Sequence, residues 1–159
     1  MYYFAYGSNM DFDHIRHFIP DNKIEIVGPA YVENFIFRYR NVNINNLRSG
    51  VANIEQRRNS KTYGVIYKIN NDAELKNLDK KEGHKSLESS DNVYNKIEIE
   101  CVLCDSVAKI QCFTYQMSDI VKLEEKKPRN TYLNYLKNGN ATHKLPHEHL
   151  KRIHYLSLV

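Results

Sequence analysis

The stretch Tyr2-Tyr3-Phe4-Ala5-Tyr6-Gly7-Ser8-Asn9-Met10 constrains the chain most. Tyr2 to Tyr6 is a run of aromatic and small residues and reads as a buried β-strand. Gly7 breaks that strand, because glycine reaches backbone angles closed to other residues. Ser8 and Asn9 are favourable helix N-caps, and Asp11 to Arg16 follows as a short helix with acids in its first turn. A strand, a glycine turn and a capped helix bring free backbone N–H groups to one point, which makes a generic anion site. The same pattern serves as an ordinary β-to-α connector, and spacing alone does not separate the two.

The rest of the chain alternates between short strand signals and turns. Ile24 to Val27 reads as a strand stopped by Gly28-Pro29, and Tyr31 to Tyr39 as a longer one. Asn41 to Ser49 is polar and predicts an exposed loop. Gly50 to Ile54 and Thr62 to Ile69 read as strands joined through the charged Glu55 to Lys61. Gly64 inside the second marks a bend or a close backbone approach. Asn71-Asp72 caps a helix through Leu75 and Leu78 that stops near Gly83. Val93 to Leu103 and Val107 to Tyr115 form a hairpin turned by Asp105-Ser106. Helices follow over Asn130 to Lys137 and after Pro146, which suits a first turn. Many strands, one inserted helix and closing helices predict an α+β domain with a largely antiparallel sheet, open or closed.

With 159 residues the chain is read as a single domain over 1–159. No apolar run approaches the about 20 residues of a membrane span, and no targeting segment precedes Tyr2, so no membrane association is expected. Three cysteines suggest no disulfide scaffold, and a reducing cytoplasm is the expected location. The net charge of +4 is mild, and acids and bases are interleaved, which favours a solvated surface over a nucleic-acid face.

Few groups invite chemistry. Glu82 ends a helix beside Gly83, where a carboxylate can enter a pocket and work as a base. It also reads as a solvated glutamate beside Lys80 and Lys81. Cys101 and Cys104 face opposite ways on one strand, and no second pair completes a zinc site. His143, His147 and His149 cluster, but Pro146 interrupts them and exposed histidines are the default. His84 is placed to tune Glu82 or to reach substrate. P-loop, dinucleotide and Ser-His-Asp patterns are missing.

Tyr3-Phe4-Ala5-Tyr6-Gly7-Ser8-Asn9 resembles the opening motif of the γ-glutamylcyclotransferase family. Gly50-Val51-Ala52-Asn53-Ile54 and Tyr63-Gly64-Val65-Ile66-Tyr67 resemble its central strands. Leu78-Asp79-Lys80-Lys81-Glu82-Gly83 resembles its L-D-x-x-E-G segment, Pro128 to Tyr132 its P-x-x-x-Y element, and Leu145-Pro146 its late L-P. The resemblance implies a small mixed, mostly antiparallel β-barrel with flanking helices. It implies Glu82 as the catalytic residue. Substrate binding falls to Tyr3, Phe4, Ala5, Tyr6, Gly7, Ser8, Asn9 and Tyr132. It implies a γ-glutamyl small molecule converted to 5-oxoproline and a free amino acid without cofactor or metal, by a monomer or homodimer. Tyr94 is the match to a tyrosine that the family places soon after E-G, but residues 84–93 make a longer loop, expected to reshape the pocket rim. That keeps release of a non-amino-acid amine open beside the ordinary reaction. A binding module without turnover and an RNA-binding protein are the competing classes, disfavoured by Glu82 and by tyrosines placed in strands.

Overall fold

The computed structural model describes residues 1–41, 49–118 and 124–159. Its frame is a ribbon of two long strands. β2 (Ile24–Asn41) and β3 (Gly50–Ile69) run antiparallel from Ile24↔Ile69 to Asn41↔Gly50. Sequence reading predicts four shorter strands here, and the structure absorbs both expected breaks. Register shifts at Ile26/Gly28 and Glu33/Phe35 mark irregularities that bend the ribbon without ending it. Gln56, Arg57, Arg58 and Asn59 lie in β3 and are exposed, so they meet water without leaving the strand. Most of the loop expected over 41–49 lies outside the described residues.

β1 (Tyr2–Ala5) pairs antiparallel with β3. β4 (Tyr94–Leu103) pairs antiparallel with β2 and with β5 (Lys109–Met117). The parallel pair Tyr3↔Phe113 joins β5 to β1 and closes a barrel in the order β1-β3-β2-β4-β5. This is the mixed, mostly antiparallel barrel that the sequence predicts. Phe4, Ile54, Ile66 and Tyr67 are fully buried in its core. Each large apolar side chain so buried is worth about 1.5–3 kcal/mol, so aromatic and branched side chains carry most of the driving force. Gly64 sits where a Cβ would lie 2.3 Å from the Ala5 carbonyl oxygen, the close approach expected of it.

Four helices flank the barrel: α1 (Phe12–Ile15), α2 (Asp72–Lys81), α3 (Asn130–Thr142) and α4 (His147–Leu158). Ser8 and Asn9 are not the caps of α1. They belong to a 3-10 turn, Ser8–Met10, and Asp11 caps α1 by accepting from the His14 amide at 3.1 Å. Asn71 caps α2 as expected, accepting from Ala73 N–H at 2.8 Å. Gly83 stops α2 with φ +65°, a conformation that favours glycine. Pro146 stands at the N-cap of α4, one residue before its first turn.

Two of the three clustered histidines are buried, against expectation. His143 donates from Nε2 to the Met10 carbonyl at 2.8 Å, and His149 sits edge-on to Phe37. Both serve the seating of a helix on the barrel.

Candidate active site

Four strands and two helices converge on one cleft of about 300 Å³. β1 brings Tyr3 and runs straight into Tyr6, Gly7, Ser8 and Asn9. β3 brings Ala52, β4 Tyr94 and β5 Tyr115. α3 brings Tyr132, and the C-cap of α2 brings Glu82. Of the residues expected at the site, the structure gathers Tyr3, Tyr6, Gly7, Ser8, Asn9, Glu82 and Tyr132. It does not gather Phe4 or Ala5. Both are fully buried and lie outside the cleft lining: Phe4 faces the opposite way from Tyr3 along β1, and Ala5 is packed opposite Val65 of β3.

Glu82 is the acid of the cleft, and it is held on one side. Its Oε1 accepts from Asn9 Nδ2 at 3.0 Å and from Lys81 Nζ at 2.9 Å. Among the described residues its Oε2 has no partner. Asn9 is itself over-determined. Nδ2 also donates to the Tyr3 hydroxyl at 2.9 Å, and its backbone carbonyl accepts from Tyr67 at 2.9 Å. Its Oδ1 is buried without a partner among the described residues. An amide carbonyl shut from water without a donor is costly, so it is primed to accept one.

The tyrosines form a linked wall. Ala52 is gripped at both polar atoms: its N–H donates to the Tyr132 hydroxyl at 2.9 Å, and its carbonyl accepts from Tyr94 at 2.8 Å. Tyr6 donates to the Tyr115 carbonyl. Tyr115 donates to Asp79 Oδ1 at 2.5 Å, where Lys96 Nζ also sits at 3.1 Å. Burial first, and then the negative charge of Glu82 among other groups, pushes the phenols of Tyr3, Tyr6 and Tyr94 well above their usual range. Tyr132 is pushed up mainly by burial too. All four therefore stay neutral near pH 7 and keep their O–H donors.

Gly7 gives the wall its opening. A Cβ there would lie 3.1 Å from the Tyr132 hydroxyl and 3.2 Å from the Ala52 Cβ, so a side chain at this position would crowd the floor and press both neighbours back by a few tenths of an ångström. The Gly7 and Ser8 carbonyls accept from the Met10 and Asp11 amides. The amides of Gly7, Ser8 and Asn9 have no backbone acceptor among the described residues.

Sequence reading missed Ala52, Tyr115 and the Lys81 ion pair. Only register places Ala52 and Tyr115, and the pairing of neighbours Lys81 and Glu82 depends on the helix ending between them. His84 does not reach the cleft. Its Nδ1 lies 3.2 Å from the Tyr94 carbonyl and its ring stands against Tyr115, so it supports the wall from behind. The long loop after Gly83 is folded on itself. Buried Asn92 accepts from the Lys85 amide at 2.7 Å and donates to the Ser86 carbonyl at 2.7 Å. Residues 85–93 do not line the cleft.

Among solved structures, one described as a gamma-glutamyl cyclotransferase matches with a TM-score of 0.81 and 25% identity, over 100% of this chain and 87% of that one. An uncharacterized protein from Homo sapiens matches with a TM-score of 0.81 and 26% identity, over 96% of this chain and 85% of that one. Comparison with curated protein sequences gives no match. The profile of the AIG2-like family matches residues 61–153, more than half of the chain and the part that holds Glu82, Tyr94, Tyr115 and Tyr132. The chain belongs to the AIG2-like family.

Proposed function

We propose that the chain is a cyclotransferase that opens γ-glutamyl amides, releasing 5-oxoproline and the amine, with Glu82 as general acid and base. The substrate's α-amine attacks its own γ-carbonyl. The C–N bond of a five-membered ring forms, and the amide C–N bond to the leaving amine breaks. The attacking nitrogen must lose a proton and the departing nitrogen must gain one. One carboxylate that accepts the first and returns it to the second balances the reaction.

The observation that carries this reading is the asymmetry of Glu82. Oε1 is fixed by Asn9 and Lys81, and Oε2 is left free in a cleft lined otherwise by neutral groups. That aims one proton acceptor without blocking it. The buried, unpartnered Asn9 Oδ1 suits the second N–H of the same amine. The amides of Gly7 and Ser8, which have no backbone acceptor among the described residues, suit the oxyanion of the tetrahedral intermediate. The likeness to a solved gamma-glutamyl cyclotransferase supports the reaction type.

Incubation with a panel of γ-glutamyl amino acids and γ-glutamyl amines, read by mass spectrometry for 5-oxoproline, tests it. Release from the amino acids identifies the ordinary reaction, and release from the amines alone identifies the variant one. The Lys81–Glu82 contact favours one second reading, a γ-glutamyl-binding module whose acid is tied up. Binding of panel members without release of 5-oxoproline would establish that reading instead.

A further inference from the structure

Two lysines precede Glu82, and the fold treats them differently. Lys80 is exposed. Lys81, the last residue of α2, is turned inward, with a side chain 16% exposed beside 15% for Glu82. Its Nζ lies 2.9 Å from Glu82 Oε1 and 5.1 Å from the centre of the Phe18 ring, whose face attracts a cation. Among the described residues no other cation forms a salt bridge with Glu82. The nearby acid Asp79 is taken by Lys96 at 3.1 Å and by the Tyr115 hydroxyl. Lys81 does not line the cleft, so its route to the reaction runs through Glu82.

The ion pair has a physical cause. Glu82 is the C-cap of α2, where the last carbonyls of a helix carry partial negative charge. The Lys81 ammonium offsets that field. The balance changes when Glu82 takes a proton. The carboxyl becomes neutral, and the ammonium stays largely shut from water with no counter-charge, which is a costly state. That cost opposes the first proton transfer of the reaction and favours the second, in which Glu82 gives the proton up.

We infer that Lys81 is a positioning residue for departure of the leaving amine: its charge drives the proton off Glu82 and onto the departing nitrogen. The inference rests on the cyclotransferase reading above. As the ring C–N bond forms, a proton leaves the α-amine for Glu82. As the amide C–N bond breaks, its electron pair returns to the departing nitrogen, which takes that proton. A strongly basic nitrogen leaves only when protonated, so it depends on Lys81. A weakly basic one carries away more of the electron pair unaided and depends on Lys81 less. The pair therefore fits the site to amides of strongly basic alkyl amines.

Substrates of nearly equal size that differ in the basicity of the departing nitrogen test the inference. One pair is γ-glutamyl ethylamide and its trifluoroethylamide, and the other is γ-glutamyl alanine and its trifluoroalanine counterpart. The pair that the wild type turns over is then measured with Lys81→Met, Lys81→Gln and Lys81→Arg, read as kcat for 5-oxoproline release. Lys81→Met should lower kcat about tenfold on the unfluorinated member, part of the about 10²–10⁴-fold that acid–base catalysis supplies, and about threefold or less on the fluorinated one. Lys81→Gln keeps a hydrogen-bond donor without the charge and should show the same unequal losses. Lys81→Arg keeps the charge and should restore the unfluorinated substrate. Equal losses on both members, or full activity in Lys81→Gln, overturn the inference and leave the cyclotransferase reading standing. No release from either pair by the wild type overturns that reading and the inference with it. If Lys81→Met does not fold, Lys81→Gln decides alone.

Discussion

The two oxygens of Glu82 face different surroundings, and the difference sets what each substitution there should do. Glu82→Gln retains size and can still accept from Asn9, but it cannot hold the amine proton. General-base catalysis contributes about 10²–10⁴-fold, so kcat should fall by that order in the 5-oxoproline assay. Lys81, only 16% exposed at its side chain, would then lose its counter-charge. The Tm should fall with it, and Lys81→Met in the same protein should restore the Tm without restoring kcat. A folded Glu82→Gln protein with near-normal kcat removes Glu82 from the mechanism. Tyr132→Phe tests the wall. The hydroxyl accepts the Ala52 amide, so its loss strands a buried N–H at a cost of about 1–3 kcal/mol. Unfolding curves should show that loss, and KM should rise several-fold. Lower stability with unchanged kinetics would confine Tyr132 to the scaffold.

At the scale of elements, the site is the point where α3 meets the turn after β1. Gly139 makes that meeting possible: a Cβ there would lie 2.5 Å from the Met10 Cβ and 2.7 Å from its carbonyl carbon. Gly139→Ala should therefore push α3 away from Ser8–Met10. Overpacking of this kind costs about 1–3 kcal/mol. Tyr132 rides on α3 and Asn9 on the turn, so the γ-glutamyl panel should show a raised KM at the same time. A full-strength Tm would show that the two elements tolerate separation. The sequence made some of this legible and hid the rest for definite reasons. The aromatic run into Gly7, the Asn71 cap and the Gly83 stop are local signals, and each stands where predicted. The continuity of β2 and β3 was hidden because bulges and exposed charges look like turns in a sequence. Tyr115 and Ala52 enter the cleft only through pairing across the barrel, which no local pattern records. Phe4 and Ala5 belong to the same contiguous motif but do not line the cleft: Phe4 faces the opposite way from Tyr3 along the strand, and Ala5 is fully buried opposite Val65 of β3.

Across the whole molecule, α4 is fixed to the barrel through His149, and this links stability to pH. The ring is buried, edge-on to Phe37 at 5.9 Å and tilted against Tyr63 at 5.8 Å, and its Nε2 has no partner among the described residues. Burial, with Arg152 adding its charge, lowers the His149 pKa from 6.5 to about 4. The folded protein therefore holds His149 neutral at pH values where the unfolded chain protonates it. Stability from this group is fully present above pH 6.5 and is lost progressively as pH falls toward about 4. A difference of this size corresponds to a loss on the order of 3 kcal/mol over the window. His14 and His143 are lowered by burial as well, and Glu55 is held down by Arg40, so the wild-type curve sums several groups. The comparison that isolates His149 is His149→Phe, which keeps an aromatic ring against Phe37 and Tyr63 and cannot titrate. Denaturant unfolding at intervals from pH 7 to pH 4 should give a steeper fall in stability for the wild type than for His149→Phe. The gap should open below pH 6.5 and stop widening near pH 4. Parallel curves would mean that His149 binds its proton as readily in the folded protein as in the unfolded chain.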